Sequence, residues 1–420
     1  MSVVAGALDR GALIARYRGG RARSASLFAS VAREAYYDAP IPLRHPFVFY
    51  DGHLPAFAYL VLHERALGGA PIDAALEALF ERGIDPAGLE AAARHRRDDW
   101  PDRAAVRRFA AACDAALIAD IAGAQLEDPG NPLLIGAQAL FAILEHEEMH
   151  QETLSYIINR LPAGSKRGDG GAVRDVTPAR REPVAIAAGR ATLGRARDAG
   201  FGWDNEFGSA SVDVRAFGID AYDVTNGDYL AYVDAGGTAP PFWFRREGAW
   251  WLHGAYADVP LPLSWPVYTS YDEAAAFCAR AGARLPSEAE YDRAAYGSPA
   301  GNEGRFPWGD APPGPQHGNF NFRRFDPEPV GSSPAGASAW GVEDLVGNGW
   351  EWTSTPFAPF PGFEPLASYP RYSTDFFDGR HYVLKGASPV TSSNLVRRSF
   401  RNWYYADYRY MYATFRRVYD

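Results

Sequence analysis

A helical bundle followed by a mixed domain of short strands and helices is the architecture this chain predicts, on three observations. Residues up to about 162 carry long runs with apolar side chains three and four apart, the period of helices that bury one face. The stretch Ala163-Gly164-Ser165-Lys166-Arg167-Gly168-Asp169-Gly170-Gly171 then interrupts the pattern with linker composition. From Val184 the texture changes to short β-like runs punctuated by Gly, Pro and Asn, and most of the Trp, Tyr and Phe fall after Trp203. The expected boundaries are a bundle over 1–165, a linker over 166–182 and the second domain over 183–420.

In the first part, helical periodicity runs from Ala7 to Arg18, Ser24 to Tyr37, Leu54 to Leu67 and Ala104 to Ala122. Pro132 to Leu161 is a longer Ala- and Leu-rich run of the same kind. Pro40 and Pro42 separate the second run from the third, since two prolines this close disfavour a continuing helix. Pro101 stands at the start of the Asp102 to Ala122 run, where proline is tolerated in a first turn. Four or so long helices make a bundle, and bundle interiors hold metals on facing helices. In the second part, strands are expected at Val184 to Ala187, Ala191 to Leu193, Val212 to Val214 and Phe217 to Ile219. Helices are expected at Asn226 to Ala235, Ser270 to Ala281 and Ser287 to Tyr296, the last opening with the capping-box pair Ser287 and Glu290.

Composition narrows the class. The chain has 420 residues, 47% hydrophobic and 22% charged, as in a soluble globular protein of two or three domains. A net charge of −9 gives no electrostatic support for nucleic-acid binding; basic groups occur only locally, as at Arg180-Arg181. Two cysteines, Cys113 and Cys278, argue against a disulfide framework and fit a reducing compartment. Met1 to Ala15 lacks a long apolar core, and no run approaches ~18 apolar residues. A cytoplasmic protein without a membrane partner is expected.

The chemistry concentrates in Leu144-Glu145-His146-Glu147-Glu148-Met149-His150-Gln151-Glu152. Residues four apart on a helix lie about 40° apart around its axis, so His146 and His150 point the same way, roughly 6 Å apart, within reach of one metal ion. Glu152 lies about 200° round from His150 and reads as a supporting or packing carboxylate. His53, in Asp51-Gly52-His53-Leu54-Pro55, stands where an apolar helical run begins. Alone it reads as a capping or packing histidine. His146-Glu147-Glu148-Met149-His150 also matches His-Glu-x-x-His, a zinc metallopeptidase pattern with Glu147 as base. The residues that follow, Gln151 to Pro162, lack the further ligands such enzymes need.

The second part carries a longer set of ordered motifs: Phe201-Gly202-Trp203-Asp204-Asn205-Glu206, Asp223-Val224-Thr225-Asn226, and Arg284-Leu285-Pro286-Ser287-Glu288. Phe306-Pro307-Trp308-Gly309, Gly347-Asn348-Gly349-Trp350-Glu351-Trp352, Leu384-Lys385-Gly386-Ala387-Ser388 and Arg398-Ser399-Phe400-Arg401-Asn402-Trp403 follow. Together they resemble the formylglycine-generating-enzyme/sulfatase-modifying-factor domain, which implies a C-type-lectin-like α+β fold. The copper-using members of that group depend on a cysteine pair near the C-terminal end, and no cysteine follows Cys278. The first part resembles a DinB-like four-helix bundle with a His…His-x-x-x-His-x-Glu pattern at His53, His146, His150 and Glu152. Both halves in this order resemble the ergothioneine-type sulfoxide synthases. That resemblance implies non-heme Fe(II) on His53, His146 and His150, O2 as co-substrate, and bond formation at the imidazole C2 of hercynine, the Nα-trimethylated histidine.

The donor is a separate question. Relatives using γ-glutamylcysteine bind it partly with arginines between the first two histidines. Here Arg94, Arg96, Arg97 and Arg103 sit in an unfamiliar setting, Asp98-Asp99-Trp100-Pro101-Asp102. Many sulfur enzymes carry Asn-Trp-Asp near the C-terminal end and Gln before the third histidine; this chain has Asn402-Trp403-Tyr404 and Met149. These differences favour the selenoneine synthase branch, with a selenosugar donor, over γ-glutamylcysteine or cysteine. Tyr369, Tyr372, Tyr404 and Tyr405 are the candidate catalytic tyrosines. Met149, Trp403, Tyr404, Tyr405, Arg398 and Arg401 are the candidate substrate contacts, because a trimethylammonium group favours aromatic faces. The competing readings are the zinc peptidase and a ligand-binding module without catalysis. Metal analysis of the purified chain separates the three: iron is the expected result, zinc would favour the peptidase, and no metal the binding module.

Overall fold

The computed structural model describes residues 8–42, 44–83, 97–176, 178 and 182–420. The chain divides into two compact units. The first comprises Met1–Gly168 with Ala199–Phe201 and Ala367–Tyr369; the second comprises Asp169–Asp198, Gly202–Leu366 and Pro370–Asp420.

The first unit is helical. Helix α1, Arg10–Ser30, starts at Asp9, whose carboxylate accepts from the amide of Ala12. Two helices were expected here, and one continuous helix runs through Gly19 and Gly20, followed by a 3-10 turn at Arg33–Tyr37. Tertiary bonds explain the continuity. Arg16, Arg21 and Ser24 bind Glu148 and Glu147, and the carbonyl of Gly20 accepts from Gln151. Ala7, where the first run was expected to start, lies outside the described residues.

Helix α2, Phe47–Ala58, continues as π-helix over Tyr59–Ala66, within a turn of the internal Pro55. It begins well before the expected Leu54, so His53 sits mid-helix instead of at a helix start. Phe47, Val48, Phe49 and Tyr50 are all fully buried, and that burial outweighs their modest helix propensity. A short helix unforeseen from the sequence, α3 (Ala74–Phe80), is capped by Asp73. Helix α4, Arg103–Gly123, is capped by Asp102. Helix α5, Gln138–Asn159, begins later than Pro132 because Gly136 and Ala137 take left-handed backbone angles. It is buried along nearly its whole length, the central helix of the bundle. Ala163–Ser165 forms a 3-10 turn, and buried Lys166 bridges to Val31 and donates to the carbonyl of Asn159.

The second unit follows the expected strand-and-helix alternation. Strands β1 (Val184–Ile186), β2 (Gly189–Leu193), β3 (Ala210–Val214) and β4 (Phe217–Ile219) precede helix α6 (Asn226–Asp234). A three-stranded antiparallel sheet of β5 (Trp243–Arg246), β6 (Ala249–His253) and β7 (Asp258–Pro260) comes next. Helices α7 (Tyr271–Arg280) and α8 (Glu288–Tyr296) each open with a capping box, at Ser270/Glu273 and Ser287/Glu290. The largest sheet joins β8 (Gly349–Pro356), β9 (His381–Ala387), β10 (Asn402–Tyr405) and β11 (Ala413–Thr414) in the order β10-β9-β8-β11. Strand β12 (Val418–Tyr419) returns to pair with β4, so that Val418, Ile219, Ile186, Tyr291 and Leu345 share one core. Arg180 and Arg181 lie outside the described residues.

Arg416 is the polar centre of this unit. Fully buried, it holds Glu351 at 2.6 Å and Asp223 at 3.1 Å and donates to the carbonyls of Asp220 and Glu343. Burial pushes both carboxyls upward, and the guanidinium opposes it. Removing the cation leaves two acids buried without their partner. Arg416→Met is therefore expected to lower stability by about 3–5 kcal/mol, read as the denaturant midpoint of the full chain; a loss below about 1 kcal/mol would contradict this role.

Candidate metal centre

Helices α2 and α5 bring three histidines together. His53, His146 and His150 are 4%, 3% and 6% exposed, and one ligand nitrogen from each lies within 4.8 Å of the others. The four-residue spacing on α5 puts the Nε2 atoms of His146 and His150 3.1 Å apart. Across the helix pair, the His53 ring centre is 5.2 Å from that of His146 and 5.1 Å from that of His150.

The ring of His53 has a defined orientation. Its Nδ1–H donates to the backbone carbonyl of Phe80 at 2.7 Å, and its Nε2 is buried with no hydrogen-bond partner. A donating Nδ1 leaves the lone pair on Nε2, the form that binds a metal. Burial pushes the His53 imidazole down to about 4, against a small upward pull from the Phe80 carbonyl. Burial, and then the neighbouring imidazoles, hold His146 and His150 well below the usual histidine range. All three are neutral near pH 7 and chemically ready to ligate.

Aromatic rings wall the cluster. Phe57 stacks on His146 at 3.5 Å, Phe49 on His53 at 4.9 Å, and Tyr50 lies 5.9 Å from His150. Tyr369, in the short stretch that belongs to this unit, is edge-on to Phe57 at 5.3 Å and to His146 at 6.3 Å.

Two acidic residues of α5 face α1. Glu147 accepts from Ser24 Oγ at 2.5 Å and pairs with Arg21 at 3.1 Å. Glu148 accepts from Nε and Nη2 of Arg16. Glu152 is buried and is not part of the three-residue cluster. The peptidase reading therefore loses its base: Glu147 faces α1, one-quarter turn away from the imidazoles. Three neutral, buried imidazoles with an orphaned Nε2 fit a first-row divalent transition metal, and the set suits iron, copper, nickel or zinc by donor type.

The other candidate residues are distributed. Met149 is half-buried on α5. Arg97 lies over Tyr37 at 4.3 Å and Arg103 over Tyr36 at 4.5 Å, whereas Arg94 and Arg96 fall outside the described residues. In the second unit, alternation along β10 sends Trp403 and Tyr405 to one face and Tyr404 to the other. Trp403 stacks on Phe357 at 4.3 Å and meets Tyr372, which itself stacks on Trp203 at 4.1 Å. Tyr405 packs on His381, while Tyr404 stacks on Tyr408. The three aromatics of β10 thus do not form one face. Arg398 donates to Glu303 at 2.7 Å and to the carbonyl of Thr192, and buried Arg401 holds Glu288 at 3.0 Å.

Sequence reasoning missed Phe57 and Phe49, whose spacing on an apolar helix signals only core. It also missed the Phe80 carbonyl, a backbone atom 27 residues from His53 for which no side-chain pattern exists. Gly52, directly before a candidate ligand inside a helix, was the available clue.

Comparison with known proteins adds identity to this geometry. The sulfatase-modifying factor enzyme 1-like domain matches residues 172–420, and the DinB superfamily matches residues 16–154. The chain is 33% identical to a hercynine oxygenase of Mycolicibacterium thermoresistibile over 90% of its own length and 88% of that protein. It is 36% identical to a hercynine oxygenase of Mycolicibacterium smegmatis over 66% of its length and 71% of that protein. It is 28% identical to ergothioneine biosynthesis protein 1 of Schizosaccharomyces pombe over 92% of its length, spanning 53% of that longer protein.

The neutral imidazoles carry a stability consequence. An unfolded histidine takes its proton near pH 6.5, and folded His53 only near 4. The metal-free protein therefore loses stability as pH falls through this window, by about 2 kcal/mol at pH 5 from His53 alone. Urea midpoints at about pH 7.5 and about pH 5 check it. His53→Phe should flatten the slope, and an unchanged slope would contradict the burial of a neutral imidazole there.

Proposed function

Because the chain belongs to the ergothioneine-type sulfoxide synthase family, we propose that it forms a carbon–chalcogen bond at the imidazole C2 of hercynine, with Fe(II) on His53, His146 and His150 and O2 as co-substrate. The observation that carries this reading is the buried, histidine-only cluster, with every nearby α5 carboxylate whose partners are resolved turned onto α1. Relatives named for hercynine support the acceptor. Bound iron would supply O2 activation and a soft centre for a thiolate or selenolate.

The chain's own groups do the rest. Phe57 and Phe49 fix two imidazole planes by stacking and keep water from their faces. Of the four candidate tyrosines, Tyr369 is favoured as the proton-handling group, because its ring stands beside His146. Trp403 and Tyr405 are the proposed aromatic contacts for a trimethylammonium group, each with a neighbour already packed on its ring. Arg398 and Arg401, engaged with Glu303 and Glu288, act in this reading as supports for β10. In the overall reaction the C2–H and chalcogen–H bonds break and the carbon–chalcogen bond forms. One oxygen atom ends on the chalcogen and the other leaves as water, so O2 takes up four electrons.

A selenosugar is the favoured donor. Met149 and Tyr404 stand where the resemblance places Gln and Asp in relatives using an amino-acid thiol; Met149 offers no strong hydrogen bond, and Tyr404 carries no charge to pair with an ammonium. The second reading, γ-glutamylcysteine or cysteine, is favoured by the relative named for ergothioneine biosynthesis. A cytoplasmic location belongs to the same proposal. Two buried, unbridged cysteines support it, and no described helix is long and apolar enough to cross a membrane.

Mass spectrometry of aerobic and anaerobic reactions with hercynine and matched thio- and selenosugars, alongside γ-glutamylcysteine, tests both levels. The expected result is O2-dependent product, fastest with the selenosugar. Preference for γ-glutamylcysteine would overturn the donor, and equal product without O2 would overturn the oxidative reaction.

A further inference from the structure

We infer that Gly52 and the backbone carbonyl of Phe80 form a positioning device for His53, fixing which ring nitrogen is offered to a metal. The inference rests on the metal-centre reading above and concerns what holds one ligand ready before any ion arrives.

A glycine in a helix interior costs about 1 kcal/mol relative to alanine. Gly52 nevertheless lies inside Phe47–Ala58, one residue before His53. Its neighbour explains the choice. A Cβ at Gly52 would come within 2.2 Å of Phe80 Cζ, 2.3 Å of Cε2 and 2.4 Å of Cε1. Phe80 cannot swing aside, since it is fully buried, 6.5 Å from the ring of Phe49 and 6.1 Å from that of Phe109. The absence of a side chain at Gly52 is therefore what lets the Phe80 ring close onto α2.

Phe80 is the last residue of Ala74–Phe80, where helix carbonyls have no partner within the helix. That carbonyl accepts the Nδ1–H of His53 at 2.7 Å. Each group meets the other's need: the helix end finds a donor, and the imidazole is held as the tautomer with its lone pair on Nε2. That nitrogen is the one buried without a hydrogen-bond partner at the cluster. His150 differs, for its Nδ1 is buried without any hydrogen bond. Backbone anchoring is thus a property of His53 and not of all three ligands, and His53 is the pre-set member of the site.

Two measurements test the device, neither of them turnover. In metal-free wild-type protein carrying ¹⁵N-labelled histidine, NMR at neutral pH should show His53 with the proton on Nδ1; a proton on Nε2 overturns the inference. In competition with a chromophoric chelator for Fe(II) or Co(II), Gly52→Ala should bind at least ~10-fold more weakly than the parent, the range typical for loss of a ligand's supporting hydrogen bond. Gly52→Ala/Phe80→Leu removes the three clashing ring atoms while keeping the carbonyl, and should recover affinity to within about threefold. Gly52→Ala binding as tightly as the parent overturns the inference. So does a double variant that melts like the parent yet binds as weakly as Gly52→Ala. Failure of the metal-centre reading looks different: the parent itself would bind no more tightly than His146→Ala.

Discussion

A helix that is buried on nearly every side and still carries Glu145, Glu147, Glu148, His146 and His150 sets the terms for the bundle around it. Charge cannot enter such an interior unpaired, because desolvation of an isolated carboxylate far exceeds what one domain can absorb. The chain divides the problem by face. Arginines 16 and 21, with Ser24 of α1, take Glu147 and Glu148, and α2 turns its aromatic and histidine face toward the imidazoles. The long first helix runs unbroken through its glycines because this partnership holds it. A cluster of three neutral imidazoles lies apart from the two acids that α1 takes.

This division also explains what could be read from the amino-acid order. His146 and His150 were legible because helical geometry alone makes residues four apart neighbours. His53 joined the candidate ligands only through resemblance, since nothing local distinguishes it from a packing histidine. Its setting was misplaced because the helix start was judged by periodicity, and the all-apolar Phe47 to Tyr50 has none to show. The capping pair Ser287 and Glu290 announced α8, and apolar periodicity announced α4, whereas α3 is too short for its period to register. Contacts made by backbone atoms, above all the Phe80 carbonyl, leave no mark in residue identity.

The second unit uses the opposite strategy. Arg416, Arg401 and Lys385 are buried with their acids inside the domain, as charge networks set beside its apolar core. Ordered motifs such as Asp223-Val224-Thr225 and Trp350-Glu351-Trp352 made the fold recognisable, and two of their acids meet on one guanidinium. Motif order could be read directly. That Glu351 and Asp223 share a cation from a third, distant segment could not.

That third segment bears on the order in which the molecule comes into being. The pairs Arg416–Asp223 and Arg416–Asp220 span 193 and 196 residues, and Val418 lies against Ile219 in the sheet. Contacts this far apart in the chain form slowly and late. During synthesis the second unit cannot close its core until residue 416 has cleared the ribosome, and until then Glu351 and Asp223 have no cation to neutralise them. The clustered histidines, by contrast, are all translated by residue 150 and sit on two helices of the first unit. The nascent chain thus passes through a long interval in which the helices of the first unit are already made while a large, aromatic-rich and unclosed segment grows behind them. That interval is when chaperone occupancy matters most.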